Sequence, residues 1–382
     1  LYVSESVPSC DPEHGDGSSM IPYEVIQAMS ATVDITLLAF GDGMRVPPAV
    51  ADRCVSHATL PLRKLAAPMM RAAVFGEQLG AQQRASVAAH RAVHELSRQA
   101  DVSLIHGPHA AFLARSVVGP LVVQVVDPWS LRLRMEAGLV AGWRSRYRGL
   151  KARQALSIER TLPGGARLLT ISQADALSWS SAIGRRVTAI PNGVSPTSPS
   201  RPQLGPPTVC FTGSLSYPPN IDSAHFLIRE IAPLLWKTHP ELRFVIAGRQ
   251  PHPSVLLLAS ERVTVLGNVP SMHEVLQAAT VAVFPDRFGL GIRNCVSEAI
   301  AAGLPTVATS TAAREQLVHP ALIVTDGLVP LVDAVLDVID GRTAGGNAGP
   351  VPPARSWDAV ASEYWAHCLS AMGASGAHSP RA

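Results

Sequence analysis

Residues 288–309 hold the densest set of groups able to do chemistry: Phe288-Gly289-Leu290-Gly291-Ile292-Arg293-Asn294, then Glu298, then Gly303-Leu304-Pro305. They follow an expected strand at 281–284 and Pro285. Glycines there let backbone amides approach a ligand, and a helix starting near Arg293 offers unsatisfied N–H groups to a diphosphate. Glu298 lies about one turn into that helix, where its carboxylate can accept hydrogen bonds from both hydroxyls of a ribose. A glycine-rich turn followed by a solvated glutamate is common in isolation. The complete run, ending at Gly303-Leu304-Pro305 where the helix stops and a strand begins, favours the ligand-binding reading.

Such a site needs elements to hold it. Short β-branched runs at 1–3, 33–39, 102–106, 121–126, 167–171 and 187–190 alternate with helical patterns at 21–31, 77–99, 130–162 and 173–183. A second series of strands follows at 208–212, 243–247, 263–266, 281–284, 306–308 and 322–324. Strand-helix alternation builds parallel sheets covered on both faces. The two series are separated by a Pro/Ser-rich stretch at 195–207, which reads as a linker. The expectation is therefore two doubly wound domains, 1–194 and 208–355, facing a central cleft with ligands outside the carboxyl ends of the strands. An amphipathic helix at 356–372, with Trp357, Val360, Tyr364 and Leu369 near one face, is expected to pack back towards the first domain, and 373–382 reads as a tail.

Bulk properties narrow the class. The chain has 382 residues, 47% hydrophobic and 16% charged, which excludes a disordered chain and suits two cores. A net charge of +3 gives no argument for a nucleic-acid partner. Five scattered cysteines without a CxxC pair read as reduced thiols, and no run is long enough for a membrane span. No signal peptide is visible, so the expected location is cytoplasmic.

Several segments in order carry a resemblance. The 288–309 run is similar to the donor site of retaining glycosyltransferases of family four, which adopt the GT-B fold, and within it to a bacterial subset associated with exopolysaccharide loci. Phe211-Thr212-Gly213-Ser214-Leu215-Ser216-Tyr217-Pro218-Pro219-Asn220 resembles that subset's first turn of the C-terminal domain. Val245-Ile246-Ala247-Gly248-Arg249 resembles its next strand and loop, and Val265-Leu266-Gly267-Asn268-Val269-Pro270 the loop that meets the base. Ile190-Pro191-Asn192-Gly193-Val194 and Thr170-Ile171-Ser172-Gln173-Ala174-Asp175 resemble the end of the N-terminal domain. Two departures stand out. Leu290 occupies the position of the first glutamate of the family's Glu-x7-Glu pair, and the usual arginine and lysine after the Phe-x-Gly turn are absent. Arg293 and Arg249 are then the cations left to neutralise a leaving diphosphate.

The resemblance implies a retaining, hexosyl-type transfer from a nucleoside-diphosphate sugar, used as substrate, with no cofactor and no metal. It assigns Gly213, Ser214, Arg249, Asn268, Val269, Gly289, Leu290, Gly291, Ile292, Arg293, Asn294 and Glu298 to the donor. In the first domain, Glu13-His14-Gly15-Asp16-Gly17 is not spaced as a GxGxxG motif, so a nicotinamide is not expected; Gly15, Asp16 and Gly17 form a loop closing on phosphate or acceptor, or a plain surface loop. His109 contacts sugar hydroxyls, relays a proton, or is structural. Asp127 orients or deprotonates the acceptor, caps a helix, or does both. The basic stretch 132–167, with Trp143 and Tyr147 interleaved, is a solvated helix face or a contact with anionic headgroups or an anionic acceptor. Acceptor classes left open are a glycan, a lipid-linked sugar and a small metabolite. Two other functions stay open: an epimerase of the same fold, and a noncatalytic sugar-nucleotide-binding partner.

Overall fold

The computed structural model describes residues 1–11, 17–64, 79–138, 140–195, 205–289, 291–316, 318–342 and 355–376. They divide into two units. The N-terminal unit takes 1–10, 15–192 and 357–382; the other takes 11–14 and 193–356.

The N-terminal unit is built on seven parallel strands: β1 (Tyr2–Ser4), β2 (Thr36–Phe40), β3 (Ser56–Leu60), β4 (Ser103–His106), β5 (Leu121–Gln124), β6 (Arg167–Thr170) and β7 (Val187–Ala189). Their order is β3-β2-β1-β4-β5-β6-β7. The central strands β1, β4 and β5 are buried at every residue because both faces are covered. Leu37, Ala39, Leu104 and Val122 pack with Ile21, Val25 and Ile26 of the helix Gly17–Met29 on one face. Leu38, Phe40, Ile105 and Val123 pack with Val93, Leu113 and Trp179 on the other. The helix Trp357–Gly376 also belongs to this unit: Trp357, Val360, Tyr364, Cys368 and Ala371, spaced at three or four residues, are buried with Tyr2 and Val25. It runs through Gly373 to Gly376, so the expected tail starts later than composition suggested.

The C-terminal unit has six parallel strands: β8 (Thr208–Thr212), β9 (Arg243–Gly248), β10 (Val263–Gly267), β11 (Val281–Phe284), β12 (Thr306–Ala308) and β13 (Leu322–Val324). Their order is β10-β9-β8-β11-β12-β13. One core cluster holds it, from Phe211, Phe244 and Phe284 to Val296 and Val335. In both sheets the strand order reverses between the first and fourth strands, β1/β4 and β8/β11, and a doubly wound sheet places its ligand site at that point.

Three local expectations change. β3 was not foreseen: Ser56-His57-Ala58-Thr59-Leu60 lies at the sheet edge with its first three residues exposed, so no apolar pattern marks it. The helix expected over 77–99 breaks where Ser86, in an extended conformation, accepts a hydrogen bond from the Ala89 amide and caps a new helix, Val87–Ser97. The one expected over 130–162 is two, Trp129–Gly138 and Trp143–Glu159, the second starting after Gly142 at φ 67°, a left-handed value that glycine adopts without strain.

Candidate functional site

The C-terminal unit brings most of the expected donor residues to its β8/β11 switch point. β8 ends at Thr212, and Gly213 (φ 152°) leads into the turn before the helix Pro218–Phe226. Asn220 Nδ2 donates to the Ser214 carbonyl at 2.8 Å and fixes that turn. Beside it, β9 delivers Arg249, whose carbonyl accepts from the Leu215 amide at 2.9 Å. Past β11 comes Asp286, 2% exposed, which the sequence reading missed. Its carboxylate accepts from Ser223 Oγ at 2.6 Å and from Arg293 Nε, and its carbonyl accepts from Thr309 Oγ1 at 2.7 Å.

Arg293 is itself 9% exposed. Burial draws its pKa down, but the charge and hydrogen bond of Asp286, with smaller contributions from Cys295 and Tyr217, together raise it, so the guanidinium is held charged. Its carbonyl accepts from Gln316 Nε2 at 3.1 Å, and Gln316 Oε1 accepts from Ser297 Oγ at 2.9 Å. The guanidinium carbon lies 5.7 Å from the Tyr217 ring centre. The expected diphosphate cation is therefore half of a buried ion pair with Asp286, and its charge is already matched inside the unit. The pair anchors the start of the helix Asn294–Ala301.

That helix carries Glu298, half-buried. Burial raises its carboxyl above the usual carboxylate range, and the charge of Arg249 pulls the other way. A carboxylate that loses solvation without full compensation gains from hydroxyl donors on a ligand. Gly291 (φ 71°) is buried, and Gly289, Ile292 and Asn294 are half-buried around it. On the β9–β10 side, Asn268 (φ 52°) donates its amide to the Gly248 carbonyl and accepts from the Gln250 amide, each at 3.0 Å, with Val269 next to it. Leu290 lies outside the described residues.

In the N-terminal unit the β1/β4 switch point is organised by another residue the sequence reading missed. Glu5, buried directly after β1, accepts from the His109 amide at 2.7 Å through Oε2. Its carbonyl accepts from Arg84 Nε at 2.5 Å, and its amide donates to the His106 carbonyl at 3.1 Å. A Cβ on Gly107 would fall 2.2 Å from the Glu5 carboxyl carbon, so glycine is required there. The His109 ring packs on Trp129 at 5.0 Å between centroids. Asp127 is half-buried just before the helix Trp129–Gly138. The amides at that helix start go to Glu159: Ser130 donates its N–H at 3.1 Å and its Oγ–H at 2.5 Å, and Trp129 donates its backbone N–H. Gly15 and Asp16 lie outside the described residues, and Gly17 is the first residue of its helix.

Next to Glu5, a row of uncharged groups crosses the sheet. Ser4, His106 and Gln124 are paired in register on β1, β4 and β5 and fully buried. Among the described residues, Ser4 Oγ, both His106 ring nitrogens and the Gln124 amide have no hydrogen-bond partner. Burial holds the His106 pKa down at about 3. A charge after a short apolar strand was the available signal for both Glu5 and Asp286; the row has no signal in sequence, because register creates it.

Comparison with known proteins bears on this arrangement. Residues 206–340 match the family described as glycosyl transferases group 1. A comparison with curated proteins returns no match. Among solved structures, sucrose-phosphate synthase from Thermosynechococcus elongatus is similar at a TM-score of 0.65 and 14% identity, over 98% of this chain and 99% of that one. Anabaena HepE, solved with UDP and glucose, is similar at 0.63 and 15% identity, over 98% of each chain. The fold is GT-B. Within it, the group 1 match falls on the unit that gathers Gly213, Arg249, Arg293 and Glu298.

Proposed function

We propose that this chain is a glycosyltransferase that moves a hexosyl-type sugar from a nucleoside-diphosphate sugar to an acceptor, with retention of configuration and without a metal. The observation that carries the reading is Glu298. The residue with the most evident ribose chemistry sits at a GT-B switch point, on a helix fixed by the Asp286–Arg293 pair, within the segment that matches glycosyl transferases group 1. Gly213, Ser214, Gly289, Gly291, Ile292 and Asn294 supply amides and close approach for the diphosphate, with Arg249 as its cation, and Asn268 and Val269 meet the base. His109 and Asp127 serve the acceptor. HepE was solved with UDP-glucose and Staphylococcus aureus TarM with UDP, so UDP-sugars head the panel to be tested.

Support for an address at the inner face of a membrane comes from the helix Trp143–Glu159. It exposes Trp143, Tyr147 and Leu150 beside Arg144, Arg146 and Arg153. Aromatic and basic groups on one helix suit an anionic headgroup surface. Among the described residues no helix is long and apolar enough to cross a membrane.

The test is a panel of UDP-, GDP- and dTDP-sugars read by thermal stabilisation, then by mass spectrometry of acceptor mixtures with and without EDTA. One sugar nucleotide is expected to stabilise the chain and to transfer in EDTA with its anomeric configuration kept. Glu298→Ala is expected to weaken donor binding or turnover by about 1.5–3 kcal/mol, the usual value of a charged hydrogen bond. Unchanged kinetics in that variant rule out the ribose role. Conversion of the donor with no acceptor present selects an epimerase instead.

A further inference from the structure

The N-terminal unit contains a cavity of about 240 Å³ that none of the roles above uses. Drug-sized ligand sites span roughly 300–1,000 Å³, so this one suits part of a molecule. Its wall mixes polar groups with aromatic and aliphatic ones, Phe112, Trp129 and Trp179 being the large groups and Ala81 and Ala85 small ones. The acid in the wall, Glu159, is committed: beyond the three bonds at the start of the helix Trp129–Gly138, it accepts from Trp179 Nε1 at 2.9 Å. A carboxylate has about four acceptor positions, so Glu159 shapes the cavity and offers little to a ligand.

Besides Gln82, Thr161 and the Trp129 indole N–H, the wall holds an imidazole and a cation. His90 has Nδ1 at 2.7 Å from Ser116 Oγ, which leaves Nε2 to face other partners. Arg115, exposed, uses one guanidinium nitrogen on Thr161 Oγ1 and retains others. Arg115 precedes Ser116, the partner of His90, and Arg115 and His90 both line the cavity, so the two sit together. A slot with aromatic walls and a mixed polar lining that includes a cation and an imidazole fits a flat ring that carries an oxygen. A ring gains edge and offset contacts with Phe112 and Trp129 that a flexible acyl chain does not. The acyl chain would also give up rotational freedom on entering.

We propose that this cavity binds a hydroxyaryl group, with the ring against Phe112 and Trp129 and the oxygen towards His90 and Arg115. The cavity adjoins the acceptor candidates: Pro108 lines it beside His109, and Trp129 touches the His109 ring. As the anchor of an aryl acceptor it rests on the transferase reading. As a binding site it does not.

The experiment titrates the full chain with 2-naphthol and, separately, with 1-octanol, without any sugar nucleotide. Tryptophan fluorescence and equilibrium dialysis are the readouts. The expected result is saturable binding of 2-naphthol, about tenfold or more tighter than 1-octanol. Ala85→Leu and Ala81→Leu fill the cavity from two positions, and each is expected to lower 2-naphthol affinity about tenfold with the melting temperature kept within a few degrees. Equal affinity for the alcohol overturns the proposal, as does the absence of saturation. So does wild-type affinity in either filled variant; a variant that does not fold leaves the other to decide. Naphthol binding in a chain that turns over no sugar nucleotide removes the transferase reading and keeps the cavity. Turnover without naphthol binding does the reverse.

Discussion

The two units place their strands in the same order through six positions, yet beside the buried acids Glu5 and Asp286 their switch points carry different polar groups. In the C-terminal unit the buried groups are charges: Asp286 is matched by Arg293, and Glu298 is partly offset by Arg249. In the N-terminal unit the row Ser4–His106–Gln124 is uncharged, without partners among the described residues. A matched buried pair fixes one geometry and is costly to break. An uncharged polar row costs less and can accept ordered water. The fold decides where a site lies; side chains decide how stiff it is.

The sharpest way to break the contrast is to remove one half of the charged pair. Arg293→Ala leaves Asp286 buried and unmatched, and is expected to cost about 3–5 kcal/mol in urea unfolding. Replacing both partners, Asp286→Leu with Arg293→Met, is expected to recover most of that loss. A single-variant cost below about 1 kcal/mol shows that the pair does not fix the loop.

The uncharged row responds to pH in place of charge deletion. The folded pKa of His106, about 3, lies below the ordinary histidine value, so its contribution is fully present above about pH 6.5 and is lost as the pH falls towards 3. The slope from this one group reaches about 1.4 kcal/mol per pH unit. Urea titrations between neutral and acid pH are expected to show it in the wild type and to show a flatter profile in His106→Gln. Identical slopes mean that the row is hydrated well enough to tolerate the charge.

The smallest effect sharpens the comparison inside the C-terminal unit. The Glu298 carboxyl is raised in the folded state, so stability falls as pH rises above the ordinary carboxylate range. Ligand-free Glu298→Gln is therefore expected to melt slightly above wild type near neutral pH, with the gap closing in acid, while donor affinity drops. Scanning fluorimetry across pH reads both changes. A variant that melts lower near neutral pH shows that the ionised carboxylate is already satisfied in the free protein.

Much of the C-terminal sheet was legible because each strand is a short apolar run closed by glycine, proline or a polar residue. The starts and ends of β8, β11, β12 and β13 coincide with the expected ones. Edge strand β3 was not legible, because an exposed edge needs no hydrophobic alternation. Helix breaks at Ser86 and Gly142 were hidden by apolar residues that continue on either side of each turn. In the site, glycines and Glu298 stood out by type and spacing. Arg293 stood out as well, but its partner is chosen by the return of the chain after β11, so spacing could not show its charge to be occupied. Glu5 follows a strand of only three residues, and its burial comes from the pairing of β1 with β4, which spacing along the chain does not show.

The helix Trp357–Gly376 gives the chain an unusual order of assembly. The polypeptide leaves the N-terminal unit near Asn192, builds the C-terminal sheet and its core, and returns at Trp357. The outgoing and returning segments are tied together, with the Val194 amide donating to the Arg355 carbonyl at 2.8 Å. Six buried side chains of the returning helix complete a core that begins with Tyr2. On a ribosome, the half made first is thus the half finished last. The later half has all of its core in one continuous stretch and can fold while its predecessor waits.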